Sequence, residues 1–164
     1  MSESTPELTN AAMQIRKRGY TILDGVIPAT AVDEVRETVA DALARNRERA
    51  AAEQEAIRKL GHRVGVEGVD GMRGVINETQ IFASHVASDR LMSVVEHFFG
   101  PWARVSCTDC VVNHPGCSRG YWHADWPYNQ TNASHIPAPY PDVLLHLSTI
   151  WMLTDFRDEN GGTL

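Results

Sequence analysis

Three stretches of this chain repeat apolar residues at helical spacing, and one near its end alternates them as a strand does. Residues 8–18 read as a short helix closed by Gly19, a helix-stopping residue. Tyr20-Thr-Ile-Leu23 follows as a short strand. Pro28 opens a second helix, in which Val32, Val35, Val39, Ala42 and Leu43 fall on one 3.6-residue stripe. The charged, alanine-rich residues 45–60 either continue that helix or form another exposed one. Gly61, Gly65, Gly68, Gly71 and Gly74 predict a loop over 61–74. Residues 88–99 form a further amphipathic helix, with Ser88 as its N-cap, Leu91, Met92, Val95 and Phe99 inward, and Gly100-Pro101 as its end.

From Trp102 onward the pattern is that of strands. One is expected over 102–113, one around 121–125 and one over 143–153. A polar loop carrying Pro127, Pro137, Pro139 and Pro141 separates the last two. In 143–153, Leu145, Leu147, Thr149, Trp151 and Leu153 share the more apolar face, expected to pack in the core. Leu144, His146, Ser148, Ile150 and Met152 share the other, the candidate cavity lining, with Ser148 and Ile150 best placed. His146 reads as a buried histidine bonded to backbone rather than a ligand. A helical part, 1–100, followed by strands, 101–164, predicts a single α+β domain in which N-terminal helices buttress a sheet. Three or four strands do not close a double-sheet jelly roll, which needs about eight.

Composition narrows the partners. At 164 residues the chain has the length of one domain, and its 43% hydrophobic and 22% charged residues are ordinary for a globular protein. The net charge of −6 argues against a nucleic-acid partner, whose phosphates call for clustered Lys and Arg. The one basic cluster, Arg45, Arg47 and Arg49, is interleaved with Glu48 and reads as a solvated helix face. No apolar run approaches the ~20 residues of a membrane span. The start, Met1-Ser-Glu-Ser-Thr-Pro-Glu, lacks the basic and apolar regions of a secretory signal, so a cytoplasmic location is expected, with no membrane partner. Three cysteines, Cys107, Cys110 and Cys117, fit reduced thiols better than a disulfide frame.

Two constellations carry chemistry. In His123-Ala-Asp125, residues i and i+2 of a strand point to one side, so an imidazole and a carboxylate can converge on one metal ion. By spacing alone the pair reads more readily as a surface His and Asp at a strand end. The rival is Cys107-x-x-Cys110-x-x-x-His114-x-x-Cys117, four zinc ligands on paper and a small zinc-binding module if they converge. Against it, a strand sends residues 107 and 110 to opposite faces, and Thr108-Asp109 offers little turn signal.

The surroundings of the His-x-Asp pair favour the first constellation. Asn113-His-Pro-Gly116 precedes it, Tyr121-Trp122 abuts it, Trp126-Pro127 follows, and then come the strand 143–153, Thr154-Asp155 and Glu159-Asn-Gly-Gly-Thr163. In this order the segments resemble the phytanoyl-CoA dioxygenase family of iron(II)- and 2-oxoglutarate-dependent dioxygenases, over about residues 100–164. The resemblance implies an incomplete double-stranded β-helix core, jelly-roll or cupin-like, with His123 and Asp125 as catalytic metal ligands for Fe(II). It implies an amide at Asn113 that binds 2-oxoglutarate, although Asn113 reads equally as a turn residue before Pro115-Gly116; Ser148 and Ile150, from the more polar strand face, are the further candidates for the cosubstrate site. Trp126 reads as a wall of the substrate pocket or as an ordinary core aromatic. O2 and a small organic substrate complete the reaction. Related halogenases carry Ala or Gly where this chain has Asp125, so the carboxylate implies hydroxylation. Two other classes stay open: a non-catalytic binding or pseudoenzyme fragment, and the zinc module.

The family's distal histidine, and the arginine that pairs with the far carboxylate of 2-oxoglutarate, have no counterpart in residues 1–164. The chain is therefore expected to be the N-terminal part of a longer dioxygenase core, weakly active or inactive by itself. Reading the source DNA past codon 164 checks this. The expected outcome is an open frame that supplies the third ligand, whereas a stop codon with a soluble, cooperatively folding product overturns it.

Overall fold

The computed structural model describes residues 5–62, 68–117, 144 and 146–160. The chain divides into two compact units, each assembled from separated segments. Met1–Asp24, Asp89–Arg104 and Gly120–Trp151 make the first; Gly25–Ser88, Val105–Arg119 and Met152–Leu164 make the second.

The first unit is built on two helices. α1 spans Pro6–Arg18, two residues longer at its start than the apolar pattern indicates. Thr5 caps it, its side-chain oxygen accepting the Leu8 N–H, and Pro6 occupies a first-turn position where no amide donor is needed. Gly19 ends it in the left-handed region at φ 84°, its N–H donating to the Ile15 carbonyl. α5 spans Asp89–Phe99. Ala11 and Ile15 of α1 close on Val94 of α5, and Leu8, Leu23, Phe98 and Leu147 pack around them. Small side chains at 11 and 12 let the helices approach closely. At the rim Arg90 donates to the Glu7 carboxylate through Nε at 3.2 Å and to the Asp24 carbonyl at 2.8 Å. That guanidinium holds the Glu7 carboxyl below its ordinary range.

Leu91, expected inward, is buried on α5, but Val94 and Phe98 fill the rest of the contact where Met92, Val95 and Phe99 were expected. The expected stripe is displaced by about one residue around the helix, because packing against α1 selects one of two adjacent apolar faces. Ser88 does not act as the N-cap: its hydroxyl is buried without a hydrogen-bond partner among the described residues. Tyr20–Leu23 is not a strand. It is the connection after α1, tied by Thr21 Oγ1 donating to Gln14 Oε1 at 2.9 Å.

The second unit is helix over sheet. After a 3-10 turn at Ala29–Ala31, α2 runs unbroken from Val32 to Lys59, so residues 45–59 continue the helix. Val35, Val39, Ala42 and Leu43 are buried as the stripe requires, while Val32 is half-buried. β1, Val69–Arg73, lies inside the stretch expected to be a glycine loop. It pairs antiparallel with β2, Asp109–Asn113, in a register that sets Val69 opposite Asn113 and Met72 opposite Cys110. Two short helices, α3 at Val75–Glu78 and α4 at Ala83–Val86, follow β1. The class is α+β, with a two-stranded antiparallel sheet among the described residues.

β2 is shorter than the strand expected over 102–113. Gly100–Trp102 is a 3-10 turn. Thr108 is committed elsewhere: its carbonyl accepts the Val75 N–H at 2.7 Å and its hydroxyl the Ile76 N–H at 3.2 Å, satisfying free donors in the first turn of α3. Pairing therefore starts at Asp109. The alternating stretch 143–153 is likewise not a strand at 144 and 146–153. Alternation indicates what a segment can bury on one side, whereas a strand also needs a neighbour in register. The expected strand around 121–125 lies outside the described residues.

Met72 is 3% exposed at the seam between β1 and α2. Met72→Ala is expected to destabilise the chain by about 2–5 kcal/mol, the usual cost of such a truncation. A Cβ on Gly68, which has φ 76°, would lie 2.8 Å from Cys117 Cβ, so Gly68→Ala should also destabilise. Urea melts of the two variants against a surface control such as Glu53→Ala check both.

Candidate functional site

The residues that sequence reasoning brings to a site are spread over both units and beyond the described residues. Asn113 ends β2 in the second unit, opposite Val69. Strand parity places it with Asp109 and Val111 on one face, and Cys110 and Val112 on the other. The second face turns toward α2, as the burial of Met72 and the half-burial of Cys110 show. Asn113 therefore lies on the face turned away from α2, with Val111 at 65% exposure on the same face.

Ser148 and Ile150 belong to the first unit and are exposed. The same-side relation expected for 146 and 148 holds, since His146 Nε2 meets Ser148 Oγ at 2.9 Å. This side-chain hydroxyl is one partner of His146, which is half-buried rather than buried. Trp151 Nε1 likewise donates to Thr149 Oγ1 at 2.9 Å. Leu147 is directed into the first unit's core, as the apolar face predicts. His123, Asp125 and Trp126 lie outside the described residues.

The zinc module is not supported. All four of its residues are described, and their side chains are engaged separately. The Cys107 thiol donates to Asp109 at 2.9 Å, and His114 Nε2 meets the Asp70 carboxylate. Cys110 is half-buried opposite Met72, and Cys117 lies against Gly68. Among the described residues no three His, Cys, Asp or Glu side chains group to hold a metal ion. The same partners set the reactivity of the thiols. The hydrogen bond to Asp109, with some burial, pushes the Cys107 thiol up, and burial pushes Cys110 up. Both stay protonated and poorly nucleophilic at neutral pH.

One group of charged residues was not foreseen. Asp70 on β1 accepts from Arg47 on α2, and His114, just past β2, meets the same carboxylate oxygen. Arg49, two residues further along α2, pairs with Glu78 on α3. The sequence held no signal for Asp70, which stands in a glycine-rich stretch and acquires partners only when α2 and β2 fold against β1.

A helical cover on an antiparallel strand pair makes the described residues a mixed α+β chain. The family model for phytanoyl-CoA dioxygenase matches residues 15–164, and the chain belongs to that family. Membership points to oxygenase chemistry. No curated protein and no solved structure matches the chain. Among the described residues no helix is long and apolar enough to cross a membrane.

The thiol environments make a direct prediction. Cys107 and Cys110 should alkylate with iodoacetamide at pH 8 more slowly than free cysteine. Asp109→Asn should speed Cys107 alone, because it removes the negative charge that disfavours the thiolate. Site-resolved mass spectrometry of the alkylated peptides reads this out. Zinc added to the reduced protein should be fully removed by a chromogenic chelator.

Proposed function

We propose that this chain forms part of an iron(II)- and 2-oxoglutarate-dependent oxygenase that hydroxylates a small organic molecule on a double-stranded β-helix core. The observation that carries the reading is the family match over residues 15–164, which contains His123-Ala-Asp125 in the expected order after Asn113. The donor chemistry fits the metal. One imidazole and one carboxylate are two of the three ligands of the 2-His-1-carboxylate arrangement typical of non-haem iron(II) oxygenases.

On this reading, His123 and Asp125 hold the metal. Bound iron(II) supplies the redox chemistry by which O2 oxidises 2-oxoglutarate to succinate and carbon dioxide while a substrate C–H bond is hydroxylated. Asn113 donates its amide N–H to a 2-oxoglutarate carboxylate oxygen. Ser148 and Ile150 line the cosubstrate's space, and Trp126 walls off the substrate and keeps water from it. The protein's own share is binding, orientation and exclusion. Asp125 matters for reaction type, since a carboxylate on the metal leaves no vacancy for a halide.

The test is an anaerobic titration of iron(II) and 2-oxoglutarate into the product of the full reading frame. The visible metal-to-ligand charge-transfer band is followed, and succinate is measured after oxygen is admitted. His123→Ala should weaken metal binding itself. Asp125→Ala should abolish hydroxylation while metal and 2-oxoglutarate still bind. Asn113→Ala should raise the 2-oxoglutarate requirement and leave the metal in place. Wild-type turnover in both His123→Ala and Asp125→Ala would falsify the assignment. A charge-transfer band without succinate in the wild-type protein would favour a non-catalytic binding module.

A further inference from the structure

The end of β2 is fastened more heavily than a two-stranded sheet requires. The His114 N–H donates to the Gly68 carbonyl at 2.8 Å, which carries the pairing one step past the strand. The His114 carbonyl accepts the Cys117 N–H at 3.1 Å across a turn in which Gly116 has φ 85°. The start of β1 presses on that turn, leaving no room for a side chain at Gly68. Across the edge, one oxygen of Asp70 takes both Arg47 and His114. An ionised carboxylate only accepts, so His114 carries its proton on Nε2. Asp70 thereby joins three elements at one atom: α2, β1 and the exit of β2.

Stability does not account for this arrangement. The side chains of Arg47, Asp70 and His114 are 46%, 35% and 49% exposed. Ion pairs that open to solvent contribute about 0–1 kcal/mol. What the bridge does supply is orientation. A slip of one residue between β1 and β2 would turn Asn113 to the face covered by α2, because strand parity is two. The backbone pairing alone is the kind of short two-stranded ladder that is marginal without other support. Asp70 opposes Val112, the neighbour of Asn113, and ties the residue on its other side, His114, to a helix.

We propose that Asp70, bridging Arg47 and His114, is the positioning residue that holds the Asn113 amide where it binds 2-oxoglutarate. The proposal rests on the reading of Asn113 given above. Asp70 acts through Asn113 and does not touch the cosubstrate. Since the bridge adds little to stability, Asp70→Asn leaves a folded protein whose defect is confined to cosubstrate binding.

Three substitutions in the product of the full reading frame test it: Asp70→Asn, Asp70→Glu and Glu78→Gln. The last breaks the Arg49–Glu78 pair on the same helix and reports any general loosening of α2. Amide hydrogen exchange at His114, measured without metal or cosubstrate, should quicken in Asp70→Asn and stay unchanged in Glu78→Gln. In the iron(II)-loaded protein, the 2-oxoglutarate concentration giving half the charge-transfer band should rise about tenfold in Asp70→Asn, the scale of losing a partner that orients a ligand. Iron affinity should not move, and succinate formation at saturating 2-oxoglutarate should stay within about twofold, the split expected when only binding is lost. Asp70→Glu should recover part of the loss. If Asn113→Ala raises the 2-oxoglutarate requirement and Asp70→Asn does not, the positioning role is wrong. If Asn113→Ala itself has no effect, the reading of Asn113 is what fails, and the role of Asp70 falls with it.

Discussion

The pairing of Val69–Arg73 with Asp109–Asn113 is the constraint on which the second unit depends. The partners are far apart in sequence, so the chain between them must close a long loop before the first ladder bond forms. Loop-closure entropy grows only slowly with length, and the cost is offset once the strands are covered. Cover comes from α2, whose stripe of Val35, Val39, Ala42 and Leu43 supplies the unit's largest run of buried apolar residues, with Met72 buried on the strand beneath it. Without a helix on one face, two strands of five residues each would have little to hold them together. The pairing then organises what surrounds it. Thr108 is delivered to the start of α3, and Asp70 is delivered to Arg47 and His114.

The first unit solves a smaller problem with local means. α1 and α5 meet through Ala11, Ile15 and Val94, and the small residues set the distance of approach. Charge is placed around this contact rather than in it: Arg90 reaches Glu7 and the Asp24 carbonyl, and the Arg16 guanidinium lies 5.3 Å from the Phe98 ring centroid. Such exposed contacts contribute little free energy, but they discriminate between helix rotations that the apolar residues alone would tolerate. The displaced inward face of α5 shows the need for that discrimination. Met92 and Val95 are as apolar as Val94, yet Val94 is the one that is buried.

The candidate site was legible to the extent that its chemistry is encoded by short spacing. His123-Ala-Asp125 and its ordered neighbours were readable because a His and an Asp two residues apart are a local pattern, and the family match over 15–164 includes them. The cysteine cluster was equally local and did not assemble, because Cys107 and His114 bond to carboxylates instead. Asp70 had no local pattern at all. Its partners come from a helix more than twenty positions earlier and a strand end more than forty positions later.

By itself the sequence determined α1, most of α2 and α5, since helices are closed by bonds four residues apart and by caps such as Thr5 and Gly19 that stand beside them. Tertiary structure decided the strands. Val69-Asp-Gly-Met-Arg73 has no alternation and three glycines beside or within it, yet it pairs, because Asp109–Asn113 and α2 are there to receive it. Residues 146–152 were expected as a strand and form none, though Leu147 still packs into a core and Ser148 and Ile150 are exposed. A helix carries its hydrogen-bond partners within its own segment. A strand finds them in another segment, so only the folded chain decides which stretch becomes one.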